Sequence, residues 1–249
     1  MKILVTAFFV FSICQLQAQK NETTFEKSKG LETATYFECI NFYKKINDSY
    51  DNISIKTFGQ TDAGYPLHLV LVSSDKKFNP QQWHTNNKVV ILINNGIHPG
   101  EPDGIDASML LVRDIAMGKV KMPNNVVLGI IPVYNIGGSL NRNNFSRVNQ
   151  DGPLSYGFRG NAQNLDLNRD FIKTDSKNSH AFQLIFNEWN PDVFVDTHVS
   201  NGADYQYVMT LIETQKDKLN PILSQYMTQN LAPNLYKEME TVGFEMTPY

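Results

Sequence analysis

The sequence predicts an α/β domain with a largely buried sheet flanked by helices, and three observations carry that expectation. Residues 88–94 and 126–133 are continuous aliphatic runs rich in β-branched residues, as in strands covered on both faces. Between them Ile105, Met109, Val112 and Ala116 recur at helical spacing, so a helix connects the two runs. A chain of 249 residues with 41% hydrophobic and 19% charged residues can bury one sizeable core, and is neither a disordered tail nor a coiled coil.

At the N-terminus, Lys2, the apolar stretch 3–14 and the segment Gln15-Leu16-Gln17-Ala18 predict a secretory signal peptide, residues 1–18. The stretch is too short to span a bilayer and no later run is longer, so no stable membrane span is expected. Cleavage after Ala18 removes Cys14 and leaves Cys39 alone, without an internal disulfide. The expected location is secreted or periplasmic. A net charge of −3 removes the usual argument for a nucleic-acid binder, which needs a basic face, and two cysteines cannot make a disulfide scaffold or a cysteine-based zinc module.

The remaining elements follow in order. A helix is expected over 33–46. Residues 53–58 and 67–72 alternate apolar and polar around the turn Asp62-Ala63-Gly64, a hairpin signal. The strand at 88–94 leads into Asn95-Gly96-Ile97-His98-Pro99-Gly100-Glu101 and then the helix of Ile105 to Ala116, which Gly118 stops. After the strand at 126–133, Gly, Asn and Ser dominate residues 135–164, a loop region of the kind that carries function. Residues 182–189 read as a helix and 192–198 as a third core strand. Residues 215–240 read as an amphipathic helix whose stripe of Leu219, Ile222, Leu223, Tyr226 and Met227 is expected to be core.

Candidate chemistry gathers at the ends of the buried strands. Imidazole and carboxylate are both zinc ligands, and the His98/Glu101 spacing lets one tight turn aim both at a single ion. His98-x-x-Glu101 alone is a weak signal. His198 adds to it, since it stands where a buried strand gives way to a loop, and ligands collect beyond the carboxyl ends of strands in open α/β sheets. Two closely spaced ligands and a distant third, with one position left open, describe a catalytic zinc site. Between them Arg159, Asn168 and Arg169 could hold a carboxylate and an oxyanion, or could be surface arginines paired with Asp166 and Asp170. Asp196 shares a strand face with His198 and reads equally as its hydrogen-bond partner or as part of a buried ion pair. His68, His84 and His180 read as packing or surface residues.

With these residues in view, the sequence resembles the zinc carboxypeptidases of the carboxypeptidase A type (peptidase family M14). The resemblance rests on His98-Pro99-Gly100-Glu101, on Asp166-Leu167-Asn168-Arg169, on Arg159 upstream of that segment, and on His198 at a strand end. It covers roughly residues 30 to 249, and within the mature chain, 19–249, it implies a partial zinc carboxypeptidase-like catalytic domain. The implied fold is a mixed, mostly buried β-sheet flanked by helices. The implied cofactor is one zinc ion with His98, Glu101 and His198 as ligands. Asn168 and Arg169 correspond to the pair that grips the free C-terminal carboxylate of a peptide substrate. Arg159 corresponds to the arginine that polarises the scissile carbonyl, and Asp166 to the carboxylate that orients the first ligand histidine.

The resemblance also implies a general-base glutamate farther beyond the third ligand than Tyr249 reaches. The chain is therefore expected to be incomplete at its C-terminus and, by itself, to turn over little substrate. Glu213, Glu238, Glu240 and Glu245 come too early to fill that role. Beside a structural or cell-surface role with no metal, two other readings remain compatible with the motifs. One is a zinc amide hydrolase of the aspartoacylase type, whose N-acyl amino acid substrate also offers a carboxylate. The other is a non-catalytic peptide-binding module with a degenerate site.

Overall fold

The two long apolar runs become neighbouring parallel strands at the centre of a sheet, as their two-sided burial requires. The computed structural model describes residues 21–203 and 205–249, so the expected signal peptide and Cys14 lie outside the described residues. The chain divides into two compact units, one ending at Asn201 and the other Gly202–Tyr249.

In the first unit the short helix α1 (Thr24–Lys27) precedes α2 (Tyr36–Ser49). Thr35 and Glu38 form a capping box at the start of α2, satisfying two otherwise orphaned N–H groups. This cap moves the helix start beyond the expected 33; Thr33 and Ala34 instead donate to the buried carboxylate of Asp106. The hairpin follows as β1 (Ile53–Gln60) and β2 (Pro66–Ser73), then α3 (Pro80–Thr85) and β3 (Val89–Asn94). Next come α4 (Asp103–Ala116), β4 (Val126–Ile131) and α5 (Ile136–Leu140). A 3-10 turn at Leu167–Arg169, α6 (Lys177–Trp189) and β5 (Val193–Asp196) complete the unit. The last helix begins earlier than expected because Ser176 caps it, accepting the Ser179 N–H.

The sheet runs β1-β2-β4-β3-β5, with β1, β2 and β4 joined antiparallel and β4, β3 and β5 parallel. Side chains alternate between two apolar layers. On one face Val70, Val72, Leu128 and Ile130 pack against Tyr43 and Ile46 of α2 and Met109 and Val112 of α4. On the other, Leu69, Leu71, Val127 and Ile131 pack against Trp83 of α3 and Phe182, Ile185 and Trp189 of α6. The sheet is thus sandwiched between helices, with its parallel strands all ending at one edge of the unit.

Residues 192–198 do not form a core strand. β5 spans only Val193–Asp196, stands last in the sheet order, and leaves Phe194 38% and Val195 40% exposed. Among the described residues β5 has a neighbour on one side only, and it is not buried as the central pair is.

The second unit pairs β6 (Met209–Leu211) in parallel with β7 (Met246–Pro248). The single amphipathic helix expected over 215–240 is broken into a 3-10 turn at Lys216–Lys218, α7 (Pro221–Tyr226), a π-turn at Met227–Leu231 and α8 (Ala232–Thr241). Pro233 lacks the N–H that would continue the α ladder, and the backbone widens just before it. The expected core stripe is not core: Ile222 is 81% exposed, Leu223 48% and Tyr226 52%. Among the described residues of this unit only Ala232 is buried, because so short a segment with two strands of three residues offers little to pack against.

Candidate active site

His98 and Glu101 stand on the loop between β3 and α4, where the Glu101 N–H bonds back to the His98 carbonyl at 2.9 Å and closes the turn. His198 follows β5, two residues beyond Asp196. The two segments are fastened by Thr197, whose hydroxyl donates to Asn95 Oδ1 at 2.9 Å, and by Gly104 in the first turn of α4. A Cβ on Gly104 would lie 2.1 Å from Thr197 Oγ1, so only glycine allows α4 to approach the end of β5 this closely.

The three side chains converge. His98 Nδ1 lies 3.3 Å from Glu101 Oε1, and His198 Nδ1 lies 3.0 Å from Glu101 Oε2. One ligand atom from each residue falls within 4.8 Å of the others. The outer nitrogens are backed by carboxylates: His98 Nε2 meets Asp166 Oδ1 at 3.1 Å, and His198 Nε2 meets Asp196 Oδ2 at 2.9 Å. A neutral imidazole that gives its Nε2–H to a carboxylate presents the Nδ1 lone pair inward, as metal-binding histidines do. A tetrahedral ion with nitrogen and oxygen ligands at ~2.0–2.2 Å spaces them about 3.3–3.6 Å apart, within a few tenths of an ångström of the two nitrogen–carboxylate separations. The donor set therefore fits zinc. His98 and Glu101 are buried, whereas the His198 side chain is 34% exposed, which leaves the cluster open on that side.

Charge is tightly organised here. Burial acts to raise the Glu101 carboxyl, but hydrogen bonds from His198 and His98 and the nearby Arg147 cation hold it well below the usual range. Hydrogen bonds to Asp196 and Glu101 raise His198 to about 9. Asp166 is likewise pulled down, against the effect of burial, by His98 and Arg159.

Asp166 ties the intervening segment to the cluster. Its Oδ1 accepts from His98 Nε2 and from the Asn168 N–H at 3.0 Å, and its Oδ2 receives Arg159 Nε at 3.1 Å and Nη2 at 2.9 Å. Arg159 Nη1 stands 3.4 Å from His98 Nδ1, at the margin of the cluster. Asn168 and Arg169 lie on the 3-10 turn that Asp166 caps. Arg169 is exposed, and among the described residues its guanidinium bonds the Asn168 carbonyl at 2.9 Å. The pairing of Arg159 with Asp166 is present; Asp170 instead accepts from Ser176, Ser179 and the Asp175 N–H.

Two contributors carry no signal in the sequence. Buried Asn135, after β4, donates to the carbonyls of Ile97 and Arg159 at 3.3 and 2.9 Å, joining the ligand loop to the arginine segment. Arg147, in the Gly/Asn/Ser-rich loop, places Nη1 2.9 Å from Glu101 Oε1. Both depend on the path of a loop that no periodicity encodes. His68, His84 and His180 lie on β2, α3 and α6, outside this cluster.

Parallel strands thus end at a cluster of two histidines and one carboxylate that could hold a metal ion. The zinc carboxypeptidase family matches residues 39–228, and the chain belongs to that family. Carboxypeptidase 2 of Trichophyton rubrum is 22% identical over 197 residues, covering 74% of this chain and 33% of the relative. The metallo-carboxypeptidase from Burkholderia cenocepacia shares the fold with a TM-score of 0.62 at 20% identity, over 87% of this chain and 53% of that one. Carboxypeptidase A from Helicoverpa armigera does so with a TM-score of 0.63 at 14% identity, over 86% and 57%. The chain thus spans about a third of the length of the curated relatives it matches, and little more than half of these solved structures.

Proposed function

We propose that this chain is the metal-binding part of a metallocarboxypeptidase that hydrolyses the C-terminal peptide bond of peptides, with one zinc ion held by His98, Glu101 and His198. The observation that carries this reading is the paired geometry of the two imidazoles, each with Nδ1 on Glu101 and Nε2 on a carboxylate. When bound, zinc supplies Lewis acidity at neutral pH.

The chain's own residues do the rest. Asp166 and Asp196 fix ring orientation and tautomer. Arg159, anchored by both Asp166 contacts, offers Nη1 at the cluster margin, where a cation stabilises a developing oxyanion. Exposed Arg169, with Asn168 beside it, offers a planar fork suited to a free α-carboxylate. Among the described residues, the carboxylates that touch the cluster are Glu101, Asp166 and Asp196, and each is engaged by an imidazole as a ligand or as the partner that orients a ring. Little turnover is expected from residues 19–249 alone. We read that span as a partial catalytic domain, and residues 1–18 as the signal peptide of a secreted or periplasmic protein. No described helix is long and apolar enough to cross a membrane.

Binding tests the reading without requiring turnover. The zinc-loaded chain is titrated calorimetrically with a dipeptide bearing a blocked N-terminus and a free C-terminus, and with its C-terminal amide. The free acid is expected to bind at least tenfold tighter, with Arg169→Ala removing the preference, as a charge-assisted fork predicts. Equal affinity for acid and amide contradicts carboxylate recognition. Preference for an N-acyl amino acid over the dipeptide favours the deacylase reading.

A further inference from the structure

We propose that Arg147 is a positioning residue for Glu101, holding the carboxylate in the orientation that a zinc ion requires; this inference rests on the metal reading above. Each Glu101 oxygen has one imidazole partner and one outer partner. Oε2 faces His198 Nδ1 and accepts the Val199 N–H at 3.1 Å, whereas Oε1 faces His98 Nδ1 and Arg147 Nη1 at 2.9 Å. His98, Glu101 and His198 would hold the ion where the imidazole contacts now stand, and the Val199 N–H and the Arg147 guanidinium, on the outer side of the carboxylate, would stay with it. A ligand carboxylate buried this fully needs such partners, because an uncompensated buried charge is costly.

The loop is built to deliver this guanidinium. The Arg147 N–H donates to the Tyr156 hydroxyl at 3.2 Å, and Asn143 and Tyr156 form a backbone bridge that closes the loop. Arg147 Nε donates to Gln150 Oε1, and Gln150 Nε2 donates to the Ser200 carbonyl, two residues past His198. A chain of side chains therefore runs from Glu101 on one segment, through Arg147 and Gln150, to the segment that carries His198. Gly100 makes room for it. A Cβ there would lie 2.6 Å from Arg147 Cδ and 2.8 Å from the Gly157 carbonyl. The arginine stem occupies the space a side chain at position 100 would take, and its side chain is only 13% exposed.

The role differs from that proposed for Arg159 and Arg169. Those guanidiniums are exposed or at the cluster margin, where substrate can reach them, whereas Arg147 is spent on a ligand. Its removal should change how the metal is held before any substrate is present.

The test uses the full chain and zinc alone, with affinity measured by competition against a chromogenic chelator and geometry by the visible spectrum of the cobalt-loaded protein. Arg147→Met, which keeps the stem and removes the charge, is expected to bind zinc about 10–100-fold more weakly and to alter the cobalt spectrum, as loss of an outer partner to a ligand does. Arg147→Lys restores a charged donor and is expected to recover most of the lost affinity. Gln150→Leu leaves every ligand in place and is expected to weaken zinc several-fold, which keeps the inference testable should Arg147→Met fail to fold. Wild-type zinc binding with all variants within twofold of it and unchanged cobalt spectra overturns this inference alone. Failure of the wild-type chain to bind zinc overturns the metal reading, and this inference with it.

Discussion

Asp166 accepts a histidine, an arginine and a backbone N–H at once, so the ligand ring, the margin cation and the turn bearing Asn168 and Arg169 all hang from one side chain. Asp166→Ala is expected to lower zinc affinity about 10–100-fold, measured by chelator competition. Asp170, four residues on, does the equivalent for the other end of that turn by accepting from Ser176, Ser179 and two backbone N–H groups. Burial works against its ionisation, but these donors lower it from 3.8 to about 2. A depressed folded value contributes stability in full above the unfolded value of about 3.9, and loses it as pH falls through about 2. Asp170→Asn should therefore cost about 2 kcal/mol in denaturant unfolding near pH 6, with the gap closing toward pH 2. A gap that stays constant between those values would remove the ionised carboxylate from the account. The sequence made His98, Glu101, His198, Asp166 and Arg159 visible because they sit beside strands or in a short motif. Arg147 and Asn135 act through loop geometry and were invisible in it.

At the scale of elements, the close approach of α4 to the end of β5 links helix packing to the ligand His198. Gly104→Ala would place a methyl 2.1 Å from Thr197 Oγ1 and 2.4 Å from its Cβ. It should destabilise the protein by about 1–3 kcal/mol in thermal or denaturant unfolding, and weaken zinc by moving Thr197 and its neighbour His198. Unchanged stability and unchanged zinc affinity would show that the contact is relieved without moving the strand end. β3 and β4 were legible because burial on both faces writes an unbroken apolar run, and α4 because its stripe and Gly118 mark both face and end. The start of α6 was hidden in a polar stretch whose Ser176 is a cap rather than loop. The stripe of Leu219 to Met227 misled because periodicity records which residues share a face, not whether a core lies under it, and Pro233 interrupts the helix that would have presented it.

For the first unit as a whole, two apolar layers hold a sheet whose three parallel strands end together, and the ligand loop, Asn135 and His198 all emerge at that edge. The rigid strands bring residues a hundred positions apart into one cluster, while the loops aim their side chains. A ligand that binds only the folded state stabilises it by mass action, about 2.7 kcal/mol at a concentration a hundredfold above its dissociation constant. The most direct test of this account is the zinc stoichiometry and affinity of the purified full chain, beside His98→Ala and His198→Ala. One zinc per wild-type chain, weakened by orders of magnitude in both variants, is the predicted result. Wild-type binding no tighter than that of either variant would contradict the assignment of this cluster as a zinc site.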